Sequence, residues 1–364
     1  MRSIAILLPD LRAGGAERAH LDLAQGFARA GHPVHFVLRK AQGALLEEAR
    51  GRFEIVDLGC SRVRHLPPGL ARHLRSHRPA ALIAAMWPLT AIAPLVGAVT
   101  SRHTRVLVAE HGILSMQYSA WGQAHRAALR ASTGLAYRMA DARVGVSQGV
   151  ADDMALLSGL RRSRFRVVAN PVRLPDAPGA AALAQAEALW GVPPGARIVT
   201  VGRLKTVKNQ GLLLRAFAHL VRPEARLMLV GNGDLENELR SLAAALGIAG
   251  RVIFAGYRAD PTPFYRTADL FVLSSDREGF GNVIVEALAN GTAVVSTDCP
   301  SGPAEILAGG AFGTLVPKGD AEALARAMEE VLSGPRDPGR LRARAGDFAP
   351  ETAVRAYLDL LFPV

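Results

Sequence analysis

The chain has 364 residues, 49% of them hydrophobic, too many for one ordinary core and enough for two α/β domains. Its two cysteines, Cys60 and Cys299, exclude a disulfide framework and suit a reducing cytoplasm. The net charge of +11 sits in one half: residues 1–172 hold 23 Lys/Arg against 11 Asp/Glu, and residues 173–364 hold 20 against 21. A basic half of this kind fits nucleic acid, an anionic membrane surface or a phosphorylated substrate, or arginine used freely on a soluble surface.

In chain order, "SIAILLP" reads as a first buried strand. One basic residue and a short apolar run ending at Pro9 do not make a signal peptide. In "LRAGGAER" (11–18), Gly14 and Gly15 form a strand-to-helix turn that lets a phosphate or sugar approach the backbone. The spacing is not that of a dinucleotide fingerprint. An amphipathic helix, "AERAHLDLAQGFARAG", and a strand, "PVHFVL", follow. Residues 79–101 carry no charge and approach the length of a membrane span. Pro88, Pro94 and Gly97 interrupt them, so the expectation is a strand, ALIAAM, a turn at Trp87–Pro88, and a helix of small residues. "VLVAEHGILS" (106–115) ends a strand with Glu110 and His111 at the edge where doubly wound sheets bind ligands. A lone histidine is more often structural; its place at a strand end before Gly112 makes it a candidate. The stretch 113–122, with Met116, Tyr118 and Trp121, either dips into a membrane interface or caps the domain core.

Residues 170–196, rich in Pro, Ala and Gly, read as an interdomain connector carrying one short helix. Beyond it the architecture starts again with "RIVTVGRL", "NQGLLLRAFAHLV" and "RLMLVGNGD". In "GRLKTVKNQG" (202–211), Arg203, Lys205 and Lys208 follow the first strand of this half. A planar fork and a point charge at Arg203 and Lys208 suit a diphosphate. Lys205 reads as a surface cation. The chain contains no Asp-x-Asp pair and no His/Cys metal spacing, so these two cations take the place of a divalent metal. Gly231, Asn232 and Gly233 form a loop that a ribose or base can approach, and Tyr257 or Arg258 ends a later strand near a flat base. In "DREGFGNVIVEALANG", a strand exit leads into a helix with Asn282 as its cap and Gly291 as its stop. The first-turn amides suit a phosphate. Glu278 and Glu286, which an anion would repel, suit vicinal hydroxyls instead. A phosphate flanked by two sugars satisfies all of these groups: a nucleotide sugar. The tail "PETAVRAYLDLLF" (350–362) reads as a final amphipathic helix.

Taken together, "EGFGNVIVEA" as an E-x(7)-E signature, "GRLKTVKN", "GGAE", "VGNG", "VSQGV" (146–150) and "NPV" (170–172) resemble glycosyltransferase family 4 over nearly the whole chain. The resemblance implies a GT-B fold: two Rossmann-like, doubly wound α/β domains facing each other across a cleft, with a C-terminal helix returning to the first. The expected boundaries are 1–172 for an acceptor domain, 173–345 for a nucleotide-sugar domain and 346–364 for the returning helix. It implies a retaining, metal-independent transferase moving a hexose or N-acetylhexosamine from a UDP-sugar, or a GDP-sugar, to a lipid-linked or saccharide acceptor in bacterial cell-surface glycan synthesis. No cofactor is expected.

Within that resemblance Glu286 binds the ribose and Glu278 the transferred sugar. Arg203 and Lys208 hold the diphosphate with the amides of Phe280, Gly281, Asn282 and Val283. His111 contacts the donor sugar, Gly14 and Gly15 abut the phosphate, and Glu305 in "CPSGPAEI" follows by a looser match. The basic segments 61–77 and 161–166 then meet an anionic headgroup surface, on the cytoplasmic face of the membrane. A GT-B epimerase or phosphorylase is the competing enzyme. An arginine-rich nucleic-acid-binding protein is the competing class, disfavoured by an aromatic content of only 5%.

Overall fold

The computed structural model describes residues 1–191 and 196–363; the end of the expected connector, residues 192–195, and residue 364 lie outside the described residues. The chain divides into two compact units. Unit 1 comprises Met1–Val172 together with the segment from Phe348 onward, and unit 2 comprises Arg173–Asp347.

Unit 1 is built on seven strands: β1 (Ile4–Leu8), β2 (Val34–Leu38), β3 (Glu54–Asp57), β4 (Ala81–Ala85), β5 (Arg105–Glu110), β6 (Ala142–Gly145) and β7 (Arg166–Val167). They pair in parallel in the order β3-β2-β1-β4-β5-β6-β7, with Ile4 opposite both Val34 and Ala81. β1 is buried at every position, as a strand covered by helices on both faces must be. Ile4, Ile6 and Leu8 face one core; Ala5 and Leu7 face another, where Leu66, Leu70 and Leu74 close over them.

The first core includes the end of the chain. Ala353, Val354, Tyr357 and Leu361, on the helix Pro350–Leu361, pack on the helix Gly15–Arg29. Gly26 makes that approach possible: a Cβ there would lie 2.2 Å from Val354 Cγ2. The uncharged stretch 79–101 forms β4 and the helix Leu89–Thr100, and among the described residues no helix is long and apolar enough to cross a membrane.

Unit 2 repeats the plan with β8 (Arg197–Val201), β9 (Arg226–Val230), β10 (Val252–Gly256), β11 (Leu270–Leu273), β12 (Ala293–Thr297) and β13 (Thr314–Val316). The order is β10-β9-β8-β11-β12-β13, again parallel. In both sheets the order reverses beside the first strand, between β1 and β4 and between β8 and β11. At such a switch point the two flanking loops leave in opposite directions and open a crevice at the carboxyl ends of the strands.

Candidate functional site

In unit 2 the loops after β8 and β11 flank the switch point and are sewn together. Asp276 N–H donates to Val207 O at 2.9 Å, Ser274 Oγ to Lys208 O at 3.0 Å, and Asn209 Nδ2 to Asp276 Oδ1 at 3.0 Å. Asn209 also caps the next helix, its side chain accepting from Leu212 N–H. This stitching places Lys208 Nζ 2.6 Å from Glu278 Oε1, with side chains only 18% and 11% exposed. Ser275 Oγ donates to the same oxygen at 2.6 Å. Two of the expected site residues are therefore in direct contact: the cation carries its own counter-ion.

The resulting field is cationic. Lys205 senses Lys208, Arg203 and Arg277 as well as Glu278, so cations outnumber the carboxylate in its neighbourhood. Partial burial, followed by Lys208 and Arg203, lowers the Lys205 pKa, while Glu278 raises it. Lys205 is exposed, as expected of a surface cation, and lies close enough to Lys208, Arg203 and Glu278 to feel their charges. Arg277 joins them, and the sequence reading missed it. A basic residue immediately before Glu278, at a strand exit, was the available signal.

Glu278 is also fixed through its backbone. Its N–H donates to Pro300 O at 2.7 Å, and Ser301 N–H donates to Glu278 O at 3.0 Å. Gly302 seats this loop after β12 against Phe280: its φ is +103°, and a Cβ would lie 1.9 Å from Phe280 O. Cys299 beside it is a bystander thiol, pushed up to about 12 by burial and then by Glu278. Glu305 lies on the short helix Pro303–Ile306 just beyond.

The helix Asn282–Ala289 corrects one expectation. Its cap is Gly281, in the left-handed region at φ 102°, and no side chain caps it. Asn282 is the first helical residue. The chain turns in through a conformation that only glycine adopts at little cost, which the Asn-cap reading overlooked. Glu286 therefore stands four residues inside the helix, too far along for a capping box. It accepts a hydrogen bond at 2.9 Å from the hydroxyl of Tyr265, a fully buried residue of the helix Thr262–Thr267. Phe280 is buried, while Asn282 and Val283 remain partly exposed. The helix stops, as expected, at Gly291 (φ 74°).

Gly231 and Gly233 have a structural reason of their own. A Cβ at Gly231 would fall 2.0 Å from Gly202 O, and one at Gly233 2.1 Å from Leu204 O. The two loops pack backbone to backbone, with Asn232 O accepting from Leu204 N–H at 2.9 Å. Tyr257 is 51% exposed after β10, and Arg258 lies over the Phe264 ring at 5.7 Å.

In unit 1, Gly14 in extended conformation caps the helix Gly15–Arg29 without a side-chain bond. The His20 ring of this helix lies 4.8 Å from that of His111. His20 Nδ1–H donates to Ala16 O, leaving Nε2 as a buried acceptor without a partner. Burial and then His20 hold His111 well below the usual histidine range, and burial lowers His20 to about 4, so both rings are neutral. Asn170 favours the charged form of His111 without a hydrogen bond of ordinary geometry. Glu110 was expected at the sheet edge beside His111 but turns inward. It is 1% exposed and accepts from Trp87 N–H, Thr90 Oγ1 and Tyr137 OH.

Comparison with known proteins bears on the family and the fold. Residues 13–174 match the model described as Glycosyltransferase Family 4, and residues 193–351 the one described as Glycosyl transferases group 1. The chain is 40% identical over 169 residues to the lipopolysaccharide core biosynthesis glycosyltransferase LpsE of Rhizobium meliloti, covering 45% of this chain and 49% of the relative. It is 33% identical over 156 residues to an N-acetylgalactosaminyltransferase of Campylobacter jejuni that acts on a diphospho-undecaprenol substrate, covering 41% and 42%. The chain spans about half or less of the length of these curated relatives. In fold it resembles HepE of Anabaena, solved in complex with UDP, at a TM-score of 0.83 and 23% identity with both chains fully covered. The fold is that of the GT-B enzymes. Matched in both of its units, the chain belongs to glycosyltransferase family 4.

Proposed function

We propose that the protein transfers a hexose or N-acetylhexosamine from a nucleotide sugar to a lipid-linked or saccharide acceptor in bacterial cell-surface glycan assembly. The donor is UDP-linked in first preference and GDP-linked in second. The observation that carries this reading is the unit 2 switch point, where Lys208 and Glu278 meet and where Lys205 feels the further charges of Arg203 and Arg277. A departing nucleoside diphosphate needs the countercharge that these cations supply, which is why the reading requires no divalent metal. Glu286, held by Tyr265, is assigned to the ribose hydroxyls and Glu278 to the transferred sugar. The amides at Gly281, Asn282 and Val283 are assigned to the diphosphate, with Gly231, Asn232, Gly233 and Tyr257 nearer the nucleoside. Gly14, Gly15 and His111 are the contribution of unit 1 to substrate binding. HepE with UDP bound and the transferase relatives support the donor class.

The reaction is read as retaining. The acceptor hydroxyl attacks the anomeric carbon on the face from which the diphosphate leaves, and the departing phosphate oxygen takes the hydroxyl proton. The protein positions the reactants and stabilises the leaving charge. Unit 1 is assigned to the acceptor and to peripheral contact with anionic lipid. Val99, Leu135, Met139 and Leu156 stand exposed on neighbouring helices of this arginine-rich unit.

The test is a panel of UDP- and GDP-sugars in EDTA, read by thermal shift, diphosphate release and anomeric configuration of the product. Binding without metal is expected. Glu286→Ala should weaken it about tenfold or more, and Arg203→Ala or Lys208→Ala should lower turnover. Full activity in all three variants would sink the site assignment.

A further inference from the structure

Trp87, Tyr118 and Trp121 close into one cluster in unit 1. Ring centroids lie 5.2 Å apart for Trp87–Tyr118, 5.7 Å for Trp87–Trp121 and 4.2 Å for Tyr118–Trp121, and His125 meets Trp121 at 5.5 Å. The cluster stands beyond the carboxyl ends of β4 and β5, the edge at which a doubly wound sheet receives ligands. It is held firmly. Trp87 N–H donates to Glu110 Oε2 at 3.2 Å and its indole N–H to Ser132 Oγ at 3.3 Å, while Trp121 N–H donates to Tyr118 O at 3.0 Å. Leu114, Leu129 and Leu157 form the apolar floor.

Two features separate this cluster from a simple cap over the core. All three residues are only partly buried, whereas Trp190 and Tyr137, which do serve the core, are 2% and 0% exposed. The stretch from His111 to His125 contains no Asp, Glu, Lys or Arg, and its exposed positions include Gln117, Ser119, Gln123 and His125. Rigid aromatic faces rimmed by neutral donors and acceptors match a molecule with a C–H face and a hydroxyl rim. An anionic headgroup would find no cation in this stretch. A bilayer would call for protruding apolar side chains, and none of the exposed large hydrophobics falls between 111 and 125.

We propose that Trp87, Tyr118 and Trp121 form a subsite for a neutral pyranose, which lays its C–H face on the open rings while Gln117, Ser119 or His125 meets its hydroxyls. This rests on the assignment of unit 1 to the acceptor.

Saturation-transfer NMR on the full chain tests it, with methyl glycosides of glucose, galactose and N-acetylglucosamine and with lactose as probes. Ring C–H protons of at least one probe should be saturated. Trp121→Ala should cut that signal about fivefold, Trp121→Phe should keep part of it, and circular dichroism and the UDP thermal shift should stay unchanged in both. No saturation by the wild type, or equal saturation in Trp121→Ala, overturns the subsite. A Trp121→Ala variant that leaves phosphatidylglycerol vesicles while binding glycosides as before also overturns it, in favour of lipid. A missing UDP shift in the wild type would defeat the donor reading and leave the glycoside result standing.

Discussion

Glu110→Gln should remove from unit 1 a contribution to stability that falls as pH rises. Glu110 is 1% exposed, and burial raises its pKa from 4.5 to about 7, outweighing the three hydrogen bonds that favour the carboxylate; Asp153 adds a smaller push upward. Between these values the folded protein keeps a proton that the unfolded chain gives up, so stability falls as pH rises through that window. The interval, at about 1.4 kcal/mol per pH unit, amounts to about 3 kcal/mol, undiminished below pH 4.5 and gone above about 7. Glutamine keeps an oxygen for Thr90 and Tyr137 but turns an amide toward Trp87 N–H, a loss of about 1 kcal/mol at every pH. The variant should therefore be about 1 kcal/mol weaker near pH 4.5 and about 2 kcal/mol stronger at pH 8. Urea unfolding from pH 4.5 to 8, followed by tryptophan fluorescence, reads the difference, since Trp87 and Trp121 both lie in unit 1. Parallel stability curves for wild type and variant would refute the reasoning.

Breaking the Lys208–Glu278 pair with Lys208→Met or Glu278→Gln should cost about 1–3 kcal/mol, because the remaining charge is mostly out of water; a double-mutant cycle should show the double variant recovering part of it. Gly26→Ala should destabilise unit 1 by about 1–3 kcal/mol in thermal unfolding, and adding Val354→Ala should restore most of the loss. His73, 4% exposed, is lowered to about 4 by burial and by His35 and His77, with Glu54 3.9 Å from His77. The unfolded chain accepts a proton that the folded one refuses, so this contribution to stability is lost as pH falls from 6.5 toward 4. His73→Gln should flatten that acid limb in the same urea assay.

Much of the fold could be read from the sequence, because its signals are local. ALIAAM followed by Trp87–Pro88 gave the strand and turn, and Gly291 stopped its helix where expected. Within the candidate site, Lys208 and Glu278 could be picked out by residue type alone, and the structure brings these two into contact. The site was obscure wherever a residue's meaning depends on what packs against it. Tyr265 comes from a helix 21 residues before Glu286, and no periodicity announces that bond. Gly231 and Gly233 read as openings for a ligand, yet the backbone of the neighbouring loop already forbids a side chain there. Asn282 has a cap's chemistry, but the positive φ of Gly281 moved the helix start by one residue. Glu110 and His111 are adjacent in sequence, yet Glu110 binds Trp87, Thr90 and Tyr137 while His111 packs on His20.

Unit 1 is assembled from two segments that lie on either side of unit 2 in the sequence, and this sets an order of events during synthesis. Its first 172 residues leave the ribosome long before Tyr357 and Leu361 exist, so the apolar stripe around Phe27 stays uncovered while the whole of unit 2 is translated. Unit 2, contiguous in the chain, can finish alone. A chain ending at residue 347 and released from the ribosome should therefore hold a protease-resistant second half beside a loosened, chaperone-binding first half.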